Sequence, residues 1–225
     1  MINDFLGYKV SLELIDFWVE YSYVTLNTNA ILQSYFAVMS SFTDTNPDNR
    51  RIKNRRDNTY EKSVAFFFKN LTNNTLKEAG FAFYKNGFPV DYNLYFSTED
   101  TSSRKKLLLT NILPTELNII DTVYNGEQIL INYIDNNFVF KDGNIVKDIT
   151  LLNACKRRLD SIIQINRCFS VMYRRKQSDI HFYTDTLLVD KYGNIDQINN
   201  VFFSGLLGQN RVGDMLPLEY EPNNK

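Results

Sequence analysis

The chain has 225 residues, enough for one large domain to bury roughly 70% of its unfolded surface and to fold without disulfides or a metal. Its 25 basic and 26 acidic side chains leave a net charge of −1, so no global field steers it toward nucleic acid or an anionic membrane. No window approaches 18 uncharged apolar residues, the start Met1-Ile2-Asn3-Asp4 lacks a basic n-region and apolar core, and two cysteines, Cys155 and Cys168, are too few for a disulfide framework. These features argue against a membrane helix, a signal peptide and a disulfide scaffold, and for a chain that folds with reduced thiols in a cytosol.

The 17 Phe and 14 Tyr supply large buried area and favour strands. Asparagine, about one residue in eight, suits a turn-rich chain and an AT-rich coding sequence. The sequons Asn70-Leu71-Thr72 and Asn73-Asn74-Thr75 carry no weight without a secretion signal.

Along the chain, Val10, Leu12 and Leu14 alternate with Lys9, Ser11 and Glu13, after which the phase slips by one into Ile15, Phe17, Val19, Tyr21 and Tyr23. Period two over this length predicts a long strand with a bulge near Leu14-Ile15, a helix being the competing reading. Asn27-Thr28-Asn29 is a turn, and Ile31 to Phe42 is a return strand or a short helix capped by Asn29. The stretch 43–60, with Asn46-Pro47-Asp48-Asn49 and the basic run Arg50-Arg51-Ile52-Lys53-Asn54-Arg55-Arg56, lacks an apolar period and is expected to be an exposed, mobile loop. Strand character resumes at Ser63 to Lys69 through Val64, Phe66 and Phe68.

Asn86-Gly87 between Gly80–Tyr84 and Val90–Phe96 is a strong hairpin signal, followed by an expected loop over 97–106. Asn118 to Tyr124 and Gln128 to Ile134 flank a turn at Asn125-Gly126, and Lys141-Asp142-Gly143-Asn144 predicts a third hairpin. The helix from about Leu151 to Cys168, capped by Asp148 or Thr150, carries Leu152, Cys155, Leu159, Ile162 and Ile163 at helical spacing. Ile180–Tyr183 and Leu187–Val189 read as strands. The whole is an α+β domain over 1–207, dominated by antiparallel hairpins with one main amphipathic helix near 150–168, and an extended C-terminal arm at 208–225.

The chain offers little catalytic chemistry and is expected not to be an enzyme and to need no cofactor. His181 sits in a strand and reads as a ring on a sheet face; without a second His no zinc site forms at the usual spacings. Asp179, Asp185 and Asp190, or Asp121 with Glu127, would be the carboxylates of a Mg²⁺-dependent nuclease if they converged. Ser204-Gly205-Leu206-Leu207-Gly208-Gln209 lacks the ending of a phosphate-binding loop and reads as a bend. Of three basic clusters, Arg50–Arg56, Lys156-Arg157-Arg158 and Arg174-Arg175-Lys176, the first is the candidate contact to nucleic acid or a partner through Arg50, Arg51, Lys53, Arg55 and Arg56. In the tail, Met215, Leu216, Leu218 and Tyr220 have few local partners and read as an arm that docks on a neighbouring subunit.

In size, Asn- and Tyr-rich composition, scarcity of Cys and His, and its mixture of hairpins, one helix and a C-terminal arm, the chain resembles small virion proteins of tailed phages, in the style of the head-to-tail connector and tail-ring proteins of crAss-like phages. The resemblance implies a ring of identical copies in the virion, made in the host cytoplasm. Its neighbours would be portal or tail rings, with DNA passing through the channel and no membrane contact. A nucleic-acid-binding or nuclease-like accessory protein is the alternative, and a peptide- or protein-binding module with a groove is the third reading.

Overall fold

The computed structural model describes residues 1–111, 116–124, 127–209 and 212–222. It has an α+β fold in which every strand pair is antiparallel. The chain divides differently from one domain with an arm: Met1–Ser63 with Asn210–Lys225 form one unit, and Val64–Gln209 another.

The first unit is built on β1 (Ile2–Asn3), β2 (Tyr8–Tyr21) and β3 (Ile31–Asp44), in the order β1-β2-β3. β2 and β3 make the long hairpin, closed by a 3-10 turn at Thr28–Ala30 whose Asn27 side chain accepts from the Asn29 N–H. The register slips between Leu14 and Asp16, the position at which the alternation changes phase in the sequence.

The expected loop at 43–60 is instead largely helical, as α1 (Arg50–Tyr60). The Asn49 side chain accepts from the N–H groups of Arg51 and Ile52, satisfying two of the helix's unpaired donors. The buried residues Ile52, Arg56 and Tyr60 recur at i, i+4 and i+8, with Asp57 beside them. The period escapes a hydrophobicity count because its middle position is an arginine. Leu6, Tyr8 and Val10 form the small core of this unit, with Phe42 and Leu216 packed against it.

The second unit begins with α2 (Val64–Thr72), a helix where a strand was expected. Short apolar runs fit either period, and here Phe67, Phe68, Leu71 and Thr72 make one buried helical face. β4 (Phe81–Lys85) and β5 (Phe88–Pro89) turn through Asn86-Gly87, both at positive φ as a type I′ hairpin requires. The strand expected from Val90 is replaced by a 3-10 turn at Tyr92–Leu94, capped by Asp91.

The expected loop over 97–106 is mostly a second hairpin, β6 (Phe96–Asp100) with β7 (Lys105–Leu109). Only Phe96, Leu107 and Leu109 of it reach the core, which is why the polar residues between them conceal it. β8 (Glu116–Tyr124), β9 (Glu127–Ile134) and β10 (Asn137–Phe140) form a three-stranded sheet; the Asn125-Gly126 turn lies outside the described residues. α3 (Ile149–Asn166), capped by the Asp148 side chain on the Leu151 N–H, is the main helix expected near 150–168. β11 (Cys168–Tyr173), β12 (Lys176–Phe182), β13 (Thr186–Val189), β14 (Val201–Phe203) and the short α4 (Gly205–Gly208) complete the unit.

Two cores result. α2, the five-stranded sheet β14-β12-β11-β4-β5 and the sheet β13-β7-β6 enclose Phe67, Phe68, Phe83, Phe96, Phe169 and Phe182. α3 closes over Ile119, Ile131 and Phe138 of the sheet β10-β9-β8. The turn at Asp190–Asn194 lies flush on α2: Gly193 has φ +96°, and a Cβ there would stand 1.9 Å from the Ala65 carbonyl oxygen. Gly205 is held as closely by the Gln177 backbone, so the Gly-rich stretch at 204–209 is a packed bend and a four-residue helix.

Candidate functional site

Directly opposed residues of an antiparallel pair share a face, so the register of β2 and β3 fixes the two sides of the ribbon. Val10, Leu12 and Leu14 stand opposite Phe42, Ser40 and Val38. Beyond the bulge Phe17 and Val19 occupy the same side, Val19 opposite Ser34. The extra residue in β2 thus turns a change of phase in the sequence into a continuous apolar stripe on one face. The other side carries Lys9, Ser11, Glu13, Asp16 and Glu20, interrupted by Trp18, whose ring stacks on Tyr35 with centroids 5.9 Å apart.

The stripe is buried only at its base. Val10 is 2% exposed, whereas Leu12, Leu14 and Phe17 are 38%, 61% and 58% exposed. The tip is barer still, with Val24 and Leu26 almost fully open. A 14-residue strand extends about 45 Å. A two-stranded ribbon of this kind, without a covering layer, is marginal in water. Covering a side chain the size of Leu14 or Phe17 is worth about 1.5–3 kcal/mol. β1 pairs with Tyr8 and Lys9 and Met1 extends the ladder to Val10, so beyond Val10 the outer edge of β2 has no strand partner among the described residues.

The base of the ribbon is held by Arg56. Its guanidinium makes a forked pair with Asp44 at 2.7 and 2.8 Å, donates to the carbonyls of Leu6 and Gly7 at 2.7 and 3.0 Å, and lies 3.9 Å from the Tyr8 ring centre. The Arg56 bond holds the Asp44 carboxyl below its usual range, and burial raises the Tyr8 phenol. Arg55 also turns inward, donating to the Phe5 carbonyl and lying over the Phe5 ring. Of the five basic residues singled out from the sequence, Arg50 and Arg51 are exposed at the start of α1 and Lys53 is half-buried, while Arg55 and Arg56 are engaged in packing. The helix separates these roles, which a loop would have left equivalent.

The tail folds onto its own unit. Leu216 packs against the Leu6–Tyr8–Val10 core, and Tyr220 Oη donates to Asp57 at 2.6 Å with its ring 5.6 Å from Tyr60. Met215 is half-buried and Leu218 exposed.

The three acids considered for a metal do not converge. Asp179 accepts from Ser170, Gln177 and Ser204, and the Gln177 bond first, then that of Ser170, lowers its carboxyl. Asp185 pairs with Arg167, and Asp190 closes its own turn by accepting from the N–H groups of Tyr192 and Asn194. Among the described residues no group of three or more His, Cys, Asp or Glu could hold a metal ion.

His181 lies opposite Cys168 across β11 and β12, a pairing no motif announces because 13 positions separate them. Burial pushes the imidazole down and the thiol up, and His181 Nε2 meets Gln164 Oε1 at 3.1 Å. Lys85 is a further buried group that the sequence does not flag. Its ammonium donates to the Asn166 carbonyl at the end of α3, lies 4.2 Å from the Phe169 ring centre, and is pushed down to about 8 by burial. Arg174 and Arg175 form the β11–β12 turn, both at positive φ where Asn or Gly is the usual choice. In comparison with known proteins, no family model, no curated relative and no solved structure matches this chain.

Proposed function

We propose that the chain is a structural subunit that assembles with copies of itself through the β2–β3 ribbon, as a ring or connector component at the neck or tail of a phage virion. The observation that carries the assembly reading is the apolar stripe on one face of β2, continuous across a bulge, covered at Val10 and exposed at Leu12, Leu14 and Phe17. The virion setting rests on the chain's likeness in size, composition and element mix to connector and tail-ring proteins.

Size-exclusion chromatography with light scattering tests the reading. A defined closed oligomer, seen as rings by negative-stain microscopy, is expected, and the double variant Leu14→Asp, Phe17→Asp is expected to elute near the 26.3 kDa of one chain. Because both side chains are exposed, the variant keeps the thermal stability of its own fold. A wild-type protein that stays monomeric at high concentration sinks the proposal.

A further inference from the structure

The β4 edge beside β5 floors a groove of about 570 Å³, a size suited to a short peptide. On this edge the backbone ladder is interrupted. Lys85 pairs with Phe88 next to the turn, and the Val90 N–H donates to the Phe83 carbonyl at 2.9 Å, so the odd-numbered residues of β4 direct their polar groups toward β5. The Phe81 N–H, on the same side, is taken by the Leu76 carbonyl at 2.9 Å. The chain then leaves the ladder at Val90 for the 3-10 turn at Tyr92–Leu94. Among the described residues the Phe83 N–H has no acceptor and the Phe81 carbonyl no donor on this side.

The Phe83 ring is packed in the core, but its N–H lies on the edge that lines the groove, where the carbonyl of a bound extended segment would supply an acceptor. A carbonyl at position i−1 and an N–H at i+1 on one edge are the two groups that a single residue of a parallel strand engages, donating to the first and accepting from the second. Asn74, Lys77 and Glu78 on one wall and Asp91, Tyr92 and Asn93 on the other surround this pair. The two carboxylates outnumber the one ammonium. Burial, then the charges of Glu78 and Asp91, raises the Tyr92 phenol.

We infer that this groove binds a short extended peptide segment bearing a basic side chain, one residue of which bridges the Phe81 carbonyl and the Phe83 N–H by strand addition. The inference does not depend on the ribbon's role. The test titrates the full-length ¹⁵N-labelled protein with acetyl-Thr-Lys-Val-amide, its Glu counterpart, and the Lys peptide N-methylated at its central residue. The Lys peptide is expected to shift the Phe83 amide resonance downfield and slow its exchange about tenfold, with Glu78→Gln weakening binding about threefold as for an exposed ion pair. N-methylation removes the donor to Phe81 and is expected to abolish the shift. A Phe83 amide unmoved at millimolar peptide, an N-methylated peptide that binds as well as its parent, or a Glu peptide that matches the Lys peptide each overturns the inference.

Discussion

In β11–β12, Phe169, Val171, Ile180 and Phe182 alternate with Ser170, Asp179 and His181, and the apolar set is buried to 3% exposure or less. In β2–β3, Val10, Leu12, Leu14 and Phe17 alternate in the same way, yet beyond Val10 the set stands open. Alternation decides which side of a hairpin is apolar; it does not decide what arrives to cover that side. In the second unit the cover is α2 with the β6–β7 hairpin, both drawn from stretches next to the sheet strands in sequence. In the first unit α1 and the tail reach only the ribbon's base. The ribbon is therefore the half of this comparison that points outside the chain.

The largest expected effect sets the two hairpins directly against each other. Phe182→Ala empties a fully enclosed site between Phe68, Phe96 and Phe169 and is expected to cost about 3–5 kcal/mol. Phe17→Ala, with the ring 58% exposed, is expected to cost less than about 0.5 kcal/mol in the isolated chain. Urea unfolding of the two variants in the dissociated state measures the contrast. A Phe17→Ala loss as large as that of Phe182→Ala means that the ribbon is already covered within one chain.

A smaller effect sharpens where the ribbon's anchored part ends. The Asp44 carboxyl, with its folded pKa depressed by the Arg56 bond, adds stability that is fully present above the unfolded value of about 4 and lost as pH falls through the lower folded value. Asp44→Asn is expected to cost about 1 kcal/mol at pH 7, the partly open carboxylate being screened by solvent, and to flatten the acid limb of the stability curve below about pH 4. Unfolding midpoints of both proteins across that range check it. An unchanged acid limb removes the forked pair from the ribbon's support.

The first long strand, its bulge and the main helix were legible because each rests on a local period: two on either side of Leu14-Ile15, and 3.6 from Leu152 to Ile163, whereas Ile31 to Phe42 fitted a return strand or a short helix equally and only the structure makes it β3. α1 was not, because its buried face includes Arg56 and Asp57, polar groups made tolerable inside by Asp44, two backbone carbonyls and Tyr220 that come from elsewhere in the chain. α2 was misread because Val64, Phe66 and Phe68 also satisfy period two. The β6–β7 hairpin was hidden because polar residues fill both of its faces between Phe96 and Leu107: Ser97, Glu99 and Lys106 on one and Thr98, Asp100 and Lys105 on the other. On the site side, the sequence marked the apolar ribbon and the basic run. It could not mark the Phe81–Phe83 edge, which is defined by where β5 ends and by no side chain.

An effect of similar size concerns the tail, the segment whose expected docking on a neighbour competes with the docking seen here. Tyr220 Oη donates to Asp57, a residue only 5% exposed, and burial followed by that bond raises the phenol's pKa. A phenol raised in the folded state lends stability that is complete below its unfolded value of about 10 and lost as pH rises through the higher folded value. Tyr220→Phe keeps the ring against Tyr60 but leaves Asp57 without this donor, so a loss of about 1 kcal/mol is expected at pH 7. Since Phe has no phenol to ionise, the variant's deficit should shrink as pH climbs beyond 10. Chemical denaturation at pH 7 and at pH 10.5 separates the two behaviours. If Tyr220→Phe matches the wild type at both, the bond does not hold the tail down, and Leu216 to Tyr220 are as free to reach another subunit as the ribbon's outer half.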